Sequence, residues 1–311
     1  MIATVSLNPA IDVSYSVPSF QSGQIHRASS VDKTAGGKGL NVSRVLSQLG
    51  MKISCTGFLG GKSGEWIADS LQEMMLENRF IPIKGETRSC LAILSQEGQT
   101  EILEQGPQIS RDERKLFLEI YDSILDEADY IVASGSLPNG LESSFYQVLA
   151  EKAKQRGRCF LLDSSGTGLA KGVLGKPFLI KPNLEEFCKL IGKSSDIEFN
   201  EMIEYAQGIC RNGVEYLLLS LGREGALLVN QSRILKAEIP AIKAKNPVGS
   251  GDSMLAGFTF AHSKKYPLED MLKWACACGM SNAASKKTGS INLSQVHQFV
   301  NLIEVIEITN L

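Results

Sequence analysis

The chain has 311 residues, of which 43% are hydrophobic and 21% charged, and its formal net charge is −2. This length and composition fit one large α/β domain, and the near-neutral charge gives no electrostatic reason to bind nucleic acid. The seven cysteines show no CxxC spacing and the three histidines have no cysteine partners nearby, which argues against a disulfide framework and a zinc site.

Cellular location follows from what the sequence does not contain. The scattered cysteines lie mostly in apolar segments, as reduced thiols do. The amino terminus has no basic and apolar leader, and no apolar run reaches the roughly 18 residues that a membrane span needs. We therefore expect a cytoplasmic protein without membrane partners, whose ligands are small molecules.

Short continuous apolar runs recur along the chain and predict strands that are buried on both faces of a parallel sheet. They lie at 2–7, 52–58, 130–134, 159–163, 178–182 and 216–221. Helical patterns alternate with them, for example from Leu40 to Leu49 and from Glu142 to Gln155. The alternation predicts a single doubly wound, mostly parallel α/β domain over residues 1–311.

Two segments, at about 11–34 and 88–106, break this alternation. They carry β-branched and alternating residues, with a Glu97-Gly98 turn in the second, and show no helical period. We expect them to form a small separate sheet, called the lid below, that closes over a site and excludes water. Two edge hairpins without functional motion are the alternative.

The stretch GFLGGKSG at 57–64 resembles a nucleotide-binding loop but lacks its spacing. The GxxxxGK[ST] pattern needs a glycine five positions before Gly61, where the chain has Thr56. We therefore interpret this stretch as a structural turn between a strand and a helix.

The stretch NPVGSGDS at 246–253 precedes an apolar helical run. Gly249 and Gly251 allow backbone N–H groups to face an anion, Ser250 lies between them, and the helix that follows adds its positive dipole end. The helix terminus is expected to favour the ionised form of Asp252. This carboxylate can then accept a proton from a substrate hydroxyl while the turn holds a phosphoryl group. The alternative is a simple N-cap made by Asp252 or Ser250.

A second glycine cluster, AGGKGLNVSRVLSQLG at 35–50, opens another helix. Glycines such as Gly37 let a sugar lie against the backbone, while Lys38 and Asn41 offer a charge and an amide to its oxygens. An ordinary helix start is the alternative.

GGKGLNVSRVLSQLG at 36–50 and NPVGSGDSMLAGF at 246–258 resemble the paired signatures of the PfkB carbohydrate kinases, which have the ribokinase-like fold. The likeness spans essentially the whole chain. Further segments in the family's order are SLNPAID at 6–12, SGSLPNG at 134–140, LDSSG at 162–166, IKPNLEE at 180–186 and LSLGREGA at 219–226. The most similar branch holds the 1-phosphofructokinases and tagatose-6-phosphate kinases, and segments such as KKTGSIN at 286–292 favour the latter.

The resemblance implies a sugar site that uses the lid. Asp12 matches an aspartate that bonds sugar hydroxyls, a task suited to a group that only accepts hydrogen bonds. Arg27 and Arg88, on the two lid segments, and Lys38 are expected to hold the phosphate that the substrate already carries, because a guanidinium bonds two oxygens at once. Ser136 resembles a substrate-contacting serine. For these residues a solvated surface role is the alternative.

The resemblance also implies a nucleotide site. Asn183 and Glu186 match a pattern associated with Mg²⁺ and phosphate, with Glu186 acting on the cation indirectly through water. The expected ATP-binding residues are Lys181, Asn183, Glu186, Ser220, Gly222, Gly225 and Asn282. For Ser220, Gly222 and Gly225 the alternative is an ordinary hairpin turn at 220–225.

These features together predict an ATP- and Mg²⁺-dependent kinase that converts D-tagatose 6-phosphate to the 1,6-bisphosphate. The alternatives are phosphorylation of fructose 1-phosphate and, more remotely, a sugar-phosphate sensor without turnover. A dinucleotide oxidoreductase is disfavoured because no GxGxxG follows the first strand. Ser250 and Ser89 depart from the family, where alanine and asparagine are frequent. The lid of relatives implies a homodimer formed through it.

Overall fold

The computed structural model describes residues 1–309; residues 310 and 311, the end of the predicted domain, lie outside the described residues. In chain order the strands are β1 (Ile2–Ser6), β2 (Ala10–Ser16), β3 (Ser30–Gly36), β4 (Ile53–Gly60), β5 (Glu77–Asn78), β6 (Ile81–Ile83), β7 (Arg88–Ser95), β8 (Gly98–Leu103), β9 (Tyr130–Ser134), β10 (Cys159–Asp163), β11 (Leu179–Ile180), β12 (Tyr216–Ser220), β13 (Ala226–Val229), β14 (Ile234–Glu238) and β15 (Glu304–Glu307).

The helices alternate with these strands. They are α1 (Lys38–Gln48), α2 (Gly61–Glu73), α3 (Arg111–Glu127), α4 (Phe145–Gln155), α5 (Gly166–Leu174), α6 (Leu184–Ile191), α7 (Phe199–Arg211), α8 (Ser250–Ser263), α9 (Leu268–Ala284) and α10 (Leu293–Leu302), with a short 3₁₀ turn at Gly222–Glu224. Among residues 1–309, no helix is both long enough and apolar enough to cross a membrane.

The large sheet has the order β15-β14-β13-β12-β11-β10-β9-β1-β4-β5, and β6 also pairs with β4. The pairs from β12 through β1 to β5 are parallel, whereas β13, β14 and β15 extend one edge by antiparallel pairing. The chain therefore winds to both sides of β1. Ligands of such sheets bind at the carboxyl ends of the strands, near the point where the winding reverses.

The six predicted strands are all present, and this confirms the predicted doubly wound, mostly parallel sheet. The runs 130–134 and 159–163 match β9 and β10 residue for residue. The run 178–182 shortens to Leu179–Ile180, and Pro182 in it has no backbone N–H to donate to a neighbouring strand. Helix α4 begins three residues after the predicted Glu142, because residues 142–144 form a turn in which Phe145 N bonds the Glu142 carbonyl.

Apolar side chains fill both faces of the large sheet. Helices α1, α2, α8, α9 and α10 cover one face, where Leu40 and Phe258 are fully buried, and α3 to α7 cover the other, where Phe117 and Tyr146 are fully buried. All residues of β1 are buried, as expected for a strand covered on both sides. The rigid core thus fixes the strand ends from which the site is built.

The lid is a separate four-stranded sheet of order β3-β2-β7-β8. Strand β2 pairs with β3 antiparallel and with β7 in parallel, and β7 and β8 form a hairpin. Every residue of β8 is exposed. The predicted second sheet is confirmed, while its closure over a site stays a prediction.

The GFLGGKSG stretch is a strand-to-helix turn, as predicted, because β4 ends at Gly60 and α2 begins at Gly61. The N-terminus of α2 is already occupied by a carboxylate of the same chain. The backbone N–H groups of Lys62 and Ser63 donate to Glu86 at 3.2 and 2.6 Å, and a Cβ on Gly61 would lie 1.7 Å from Glu86 Oε2. Hydrogen bonds from Ser63 hold the pKa of Glu86 below its usual value.

Candidate active site

The Gly249 turn, residues 246–253, leads into α8 with some of its backbone donors free. Gly249 is left-handed, with φ +80°, and a Cβ there would lie 2.6 Å from Thr288 Cγ2. In the part of the chain that the structure describes, no side chain caps the helix, so the N-cap alternative for Asp252 and Ser250 is wrong. Among residues 1–309, the backbone N–H groups of Gly249, Gly251 and Asp252 have no acceptor. A helix N-terminus in this condition is suited to an anion.

Asp252 lies in the first turn of α8 and is buried, with 4% of its surface exposed. Its Oδ2 accepts a hydrogen bond of 2.7 Å from Nδ2 of Asn41, on α1, which is 211 residues away in the sequence. The fold therefore brings the two glycine-rich motifs into direct contact. The amide fixes the direction in which the carboxylate points.

Two lysines and a second carboxylate surround Asp252. Lys38 Nζ lies 3.0 Å from Asp163 Oδ1, and Lys181 Nζ lies 3.1 Å from Asp163 Oδ2. Lys181 also lies against the Gly249 turn, since a Cβ on Gly251 would be 3.0 Å from its Nζ. Lys181 thus places positive charge beside the open N–H groups, and both lysines act on the charge of Asp252.

Our sequence interpretation assigned no role to Asp163, whose side chain is 1% exposed. The available signal was its position as the last residue of the buried run CFLLD. Carboxyl ends of parallel strands gather at one edge of a sheet, where ligands bind. A carboxylate at such a strand end is therefore a site residue to consider.

The two carboxylates have opposite pKa shifts. Burial and the neighbouring Asp163 raise the pKa of Asp252 to about 6, against the effects of Lys38, Asn41 and Lys181. Burial also acts to raise the pKa of Asp163, but Lys181 and Lys38 outweigh it and hold this pKa below its usual value. The expectation that the helix terminus favours ionised Asp252 is thus corrected, because desolvation is the larger effect. A carboxyl group with this pKa is suited to general-base catalysis near neutral pH.

Asp12, the predicted sugar ligand, lies on β2 against the glycines that open α1. A Cβ on Gly36 would be 2.0 Å from Asp12 Oδ2, so only glycine leaves room for this carboxylate. Gly37 is the N-cap of α1, with φ +99°. Burial raises the pKa of Asp12, opposed by a hydrogen bond from the Gly37 backbone. Asp12 therefore lies where the lid joins α1.

The structure brings two of the other predicted sugar ligands together through Asn8. The Arg88 guanidinium donates to the carbonyl oxygens of Asn8, at 3.2 and 3.0 Å, and of Glu104, at 2.8 Å. Ser136 is exposed, and its Oγ accepts a bond of 3.2 Å from Asn8 Nδ2. Arg27 lies exposed between β2 and β3, and its side chain has no ion pair or hydrogen bond within residues 1–309. The fold holds Arg88 in place and leaves Arg27 free.

The NxxE pattern forms a capping box at the start of α6, which our sequence interpretation missed. Asn183 N donates to Glu186 Oε2 at 2.9 Å, and Glu186 N donates to Asn183 Oδ1 at 2.8 Å. An asparagine three residues before a glutamate is a recognisable signal for such a cap. The other Glu186 oxygen, Oε1, lies 3.8 Å from Lys38 Nζ.

This arrangement limits how Glu186 can hold a cation. Within residues 1–309 there is no group of three or more acidic, histidine or cysteine side chains placed to bind a metal. One free carboxylate oxygen fits a Mg²⁺ ion that keeps several waters and is bound mainly by phosphates. Glu186 therefore suits the indirect, water-mediated contact that we predicted.

Ser220, Gly222 and Gly225 lie on the hairpin between β12 and β13, as the alternative interpretation held. Gly225 has φ +89°, and a Cβ there would be 2.0 Å from the Ala237 carbonyl oxygen, so the packing against β14 requires glycine. Ser220 N donates to the Pro182 carbonyl at 3.1 Å, which sets the hairpin beside Asn183. Nucleotide contacts of these residues stay predictions.

Asn282 is fully buried in α9 and joins two segments around the site. Its Nδ2 donates to the Val248 carbonyl at 2.8 Å and to Ser250 Oγ at 3.3 Å. Its Oδ1 accepts from the backbone N–H groups of Gly289, at 2.8 Å, and Ser290, at 3.4 Å. These contacts support a bracing role, and the predicted contact with adenine stays a prediction.

Comparison with known proteins gives a consistent result. Residues 2–295 match the family described as pfkB family carbohydrate kinase. A tagatose-6-phosphate kinase of Staphylococcus epidermidis is 41% identical over 310 residues, which cover 99% of this chain and 100% of that protein. Phosphofructokinase-2 from Escherichia coli, solved in complex with potassium, has a TM-score of 0.90 at 25% identity and covers 97% of this chain and 98% of its own. A Thermotoga maritima protein described as a possible 1-phosphofructokinase has a TM-score of 0.89 at 24% identity. The match covers 99% of this chain and 100% of the Thermotoga chain.

The fold and the family match define a carbohydrate kinase, an enzyme that transfers a phosphoryl group to a sugar. The chain belongs to the pfkB family of carbohydrate kinases. The predicted ribokinase-like fold is confirmed, with its large sheet flanked by helices and its small separate sheet. Kinases of this family use ATP as the phosphate donor, typically with Mg²⁺.

Proposed function

We propose that the protein is an ATP- and Mg²⁺-dependent kinase that phosphorylates D-tagatose 6-phosphate at O1. The choice of sugar is supported by the 41% identity, over the full length of both chains, to a tagatose-6-phosphate kinase. The choice of chemistry is supported by one observation above the others: a buried carboxylate, Asp252, lies beside backbone N–H groups that have no acceptor within residues 1–309. An acceptor for a proton and donors for a phosphoryl group are thus adjacent.

In this proposal Asp252 accepts the proton of the C1 hydroxyl as its oxygen attacks the γ-phosphorus in line. The N–H groups of Gly249, Gly251 and Asp252 bond the transferring oxygens, and the bond from phosphorus to the β-phosphate oxygen breaks. Phosphoryl transfer has a loose transition state, so positioning and charge neutralisation contribute more than the strength of the base. Glu186 would hold Mg²⁺ through water, and the ion would supply positive charge that offsets the charge of the nucleotide phosphates.

Lys38 and the lid arginines have separate tasks in the proposal. Lys38 lies between Asp163 and Glu186, and its pKa is raised mainly by Asp163, so it is a firmly charged group at the reaction centre. We therefore assign Lys38 to the transferring phosphoryl group, which changes the assignment from the sequence, where Lys38 was expected to hold the phosphate that the substrate already carries. The phosphate at C6 is left to Arg88 and Arg27 on the lid, while Asp12 and Asn41 bind hydroxyls.

The substrate assignment is tested with coupled assays on purified protein, ATP and Mg²⁺, with D-tagatose 6-phosphate and fructose 1-phosphate in parallel. We expect the higher kcat/KM with tagatose 6-phosphate. A higher value with fructose 1-phosphate replaces the assignment by a 1-phosphofructokinase. Binding of either sugar without turnover replaces it by a sensor.

We also propose a homodimer formed through the lid. Four apolar side chains of the lid sheet are exposed by 37 to 60%: Val31, Leu94, Ile102 and Leu103. Apolar groups on the outside of a small sheet are a common feature of subunit interfaces. Light scattering should give a mass of twice the 33.8 kDa of one chain, and Ile102→Lys should lower the measured mass toward that of the monomer. Leu302→Lys, at a residue 60% exposed outside the lid, is the control; dimers that resist Ile102→Lys contradict the proposal.

A further inference from the structure

Arg44, which our sequence interpretation did not single out, contacts three parts of the site. Its guanidinium donates to the Ala35 carbonyl at the end of lid strand β3, to Asn41 Oδ1 within α1, and to the Thr288 carbonyl at 3.3 Å. Burial lowers its pKa, and the charges of Asp12, the predicted sugar ligand, and Asp252, the predicted base, oppose this.

Arg44 is the middle of a polar stripe on α1. Asn41, Arg44 and Gln48 are spaced by three and four residues and share one face of the helix. Gln48 Nε2 donates to the Gly289 carbonyl at 3.0 Å, and Gln48 Oε1 accepts from Ile291 N at 2.9 Å. The stripe therefore attaches the 288–291 loop to the helix that carries Lys38 and Asn41.

The 288–291 loop is bonded in turn to the Gly249 turn. Asn282 accepts from Gly289 N and donates to the Val248 carbonyl. Gly289 has φ +65°, and a Cβ on it would lie 3.0 Å from the Arg44 guanidinium, so the loop packs directly on Arg44. A continuous path of hydrogen bonds thus runs from the lid strand through Arg44 to the turn that carries Asp252.

We propose that Arg44 is a positioning residue: it orients Asn41 so that its amide donates to Asp252, and it holds the lid strand and the 288–291 loop in register with the reaction centre. The inference rests on the proposed function, in which Asp252 is the base. Oxygens of three different segments accept from one guanidinium. A lysine ammonium at the same place lacks the planar fork that reaches them together.

The proposal predicts a change in how Asp252 titrates. The charged and polar groups that act on this carboxyl are Asp163 on β10, Lys38, Asn41 and Arg44 on α1, and Lys181 after β11. The Asn41 hydrogen bond acts to lower the Asp252 pKa. If Arg44 orients Asn41, replacing Arg44 weakens that bond, and Asp252 then binds its proton up to a higher pH.

The test is Arg44→Lys in the full-length protein. We expect kcat to fall about tenfold while KM changes little, because misplacement of a reacting group acts on the chemical step. The acidic limb of the kcat/KM profile should move to higher pH. Arg158→Lys is the matched control, since Arg158 also bonds a backbone carbonyl, that of Leu125 at 2.8 Å, but lies outside the site. If Arg44→Lys has the same kcat and the same pH profile of kcat/KM as Arg158→Lys, the proposal is overturned.

A second measurement separates this inference from the proposed function. ¹³C NMR of the Asp252 carboxyl, assigned by its loss in Asp252→Asn, gives its titration without substrate. A higher midpoint in Arg44→Lys supports the inference even if the sugar assignment fails, and an unchanged midpoint overturns it. If Arg44→Lys does not fold, the Arg44 Nε–H resonance of the wild type is followed instead: it should shift with the Asp252 midpoint, and a resonance that does not respond overturns the inference.

Discussion

Two glycine-rich turns in this protein look alike in sequence and differ in what they hold. The Gly61 turn, residues 57–64, and the Gly249 turn both precede a helix with a left-handed glycine, at φ +65° and +80°. At the Gly61 turn the N–H groups of Lys62 and Ser63 donate to Glu86 of the same chain. At the Gly249 turn no side chain caps the helix, and the carboxylate nearby, Asp252, bonds Asn41 instead.

The difference indicates what leaves a glycine turn able to accept an anion. Both helix ends present N–H groups and a positive dipole. Glu86 satisfies the first end, which leaves no position for a ligand phosphate. The second end retains its donors, and Lys181 adds charge beside Gly251. The predictions below test this contrast by changing matched residues at the two turns.

The largest effect is expected for Asp252→Asn. The kcat should fall by about 10² or more, the scale of general-base catalysis, while ATP still binds. Glu86→Gln, the matched change at the Gly61 turn, should leave kcat unchanged. Steady-state assays of both variants check this; full turnover by Asp252→Asn removes Asp252 from its assigned role.

Asp252→Asn should also stabilise the fold at neutral pH. A pKa raised from 3.8 to about 6 means that the protonated form is favoured in the folded state, so stability is greatest below about pH 4 and falls as pH rises through about 6. At pH 8 the shift lowers the free energy of unfolding by at most about 3 kcal/mol, and the neutral amide of asparagine avoids this loss. Glu86→Gln should act in the opposite direction, because the Glu86 pKa is lowered. Denaturant unfolding at pH 8 measures both; loss of stability in Asp252→Asn contradicts the prediction.

The two left-handed glycines should separate stability from activity. Gly61→Ala and Gly249→Ala each place a side chain at positive φ, which costs about 1–2 kcal/mol. The new Cβ would meet Glu86 Oε2 in the first case and Thr288 Cγ2 in the second. Both variants should unfold at lower denaturant concentration, and only Gly249→Ala should lose kcat. An equal loss of kcat in both would mean that the Gly61 turn also serves catalysis.

The smallest expected effect is the pH dependence of the wild type. If Asp252 is the catalytic base, its pKa of about 6 predicts that kcat/KM falls as pH decreases through 6. At pH 5, one pH unit below that pKa, kcat/KM should be about tenfold lower than its value at high pH. A profile that is flat between pH 5 and 7 contradicts the assignment, and control assays at constant ionic strength exclude salt effects.

Much of this fold was predictable because its signals are local. The runs of β9 and β10 were matched residue for residue, since strands buried on both faces are continuously apolar. The site residues Asp252 and Asn41 were also selected in advance. The capping box of Asn183 and Glu186 was equally local and was overlooked, because the resemblance had supplied another explanation for the same residues.

Other site features could not be predicted, because distant segments create them. The chain offers no local sign that Asp163 lies between Lys38 and Lys181, or that Arg44 reaches the Thr288 carbonyl. The direction of the Asp252 pKa shift was missed for the same reason. Burial and the charge of Asp163, both tertiary effects, outweigh the helix terminus.

The sequence by itself determined six strands of the large sheet, the separate small sheet and the two glycine turns that lead into helices, because apolar periodicity and glycine spacing act within a few residues. Only the tertiary structure decided which turn stays open. Glu86 accepts from Ser63 in the Gly61 turn, 23 residues away, and Asn41 bonds Asp252 across 211 residues. Contacts over such separations depend on how the sheet winds, and no short stretch of sequence encodes that.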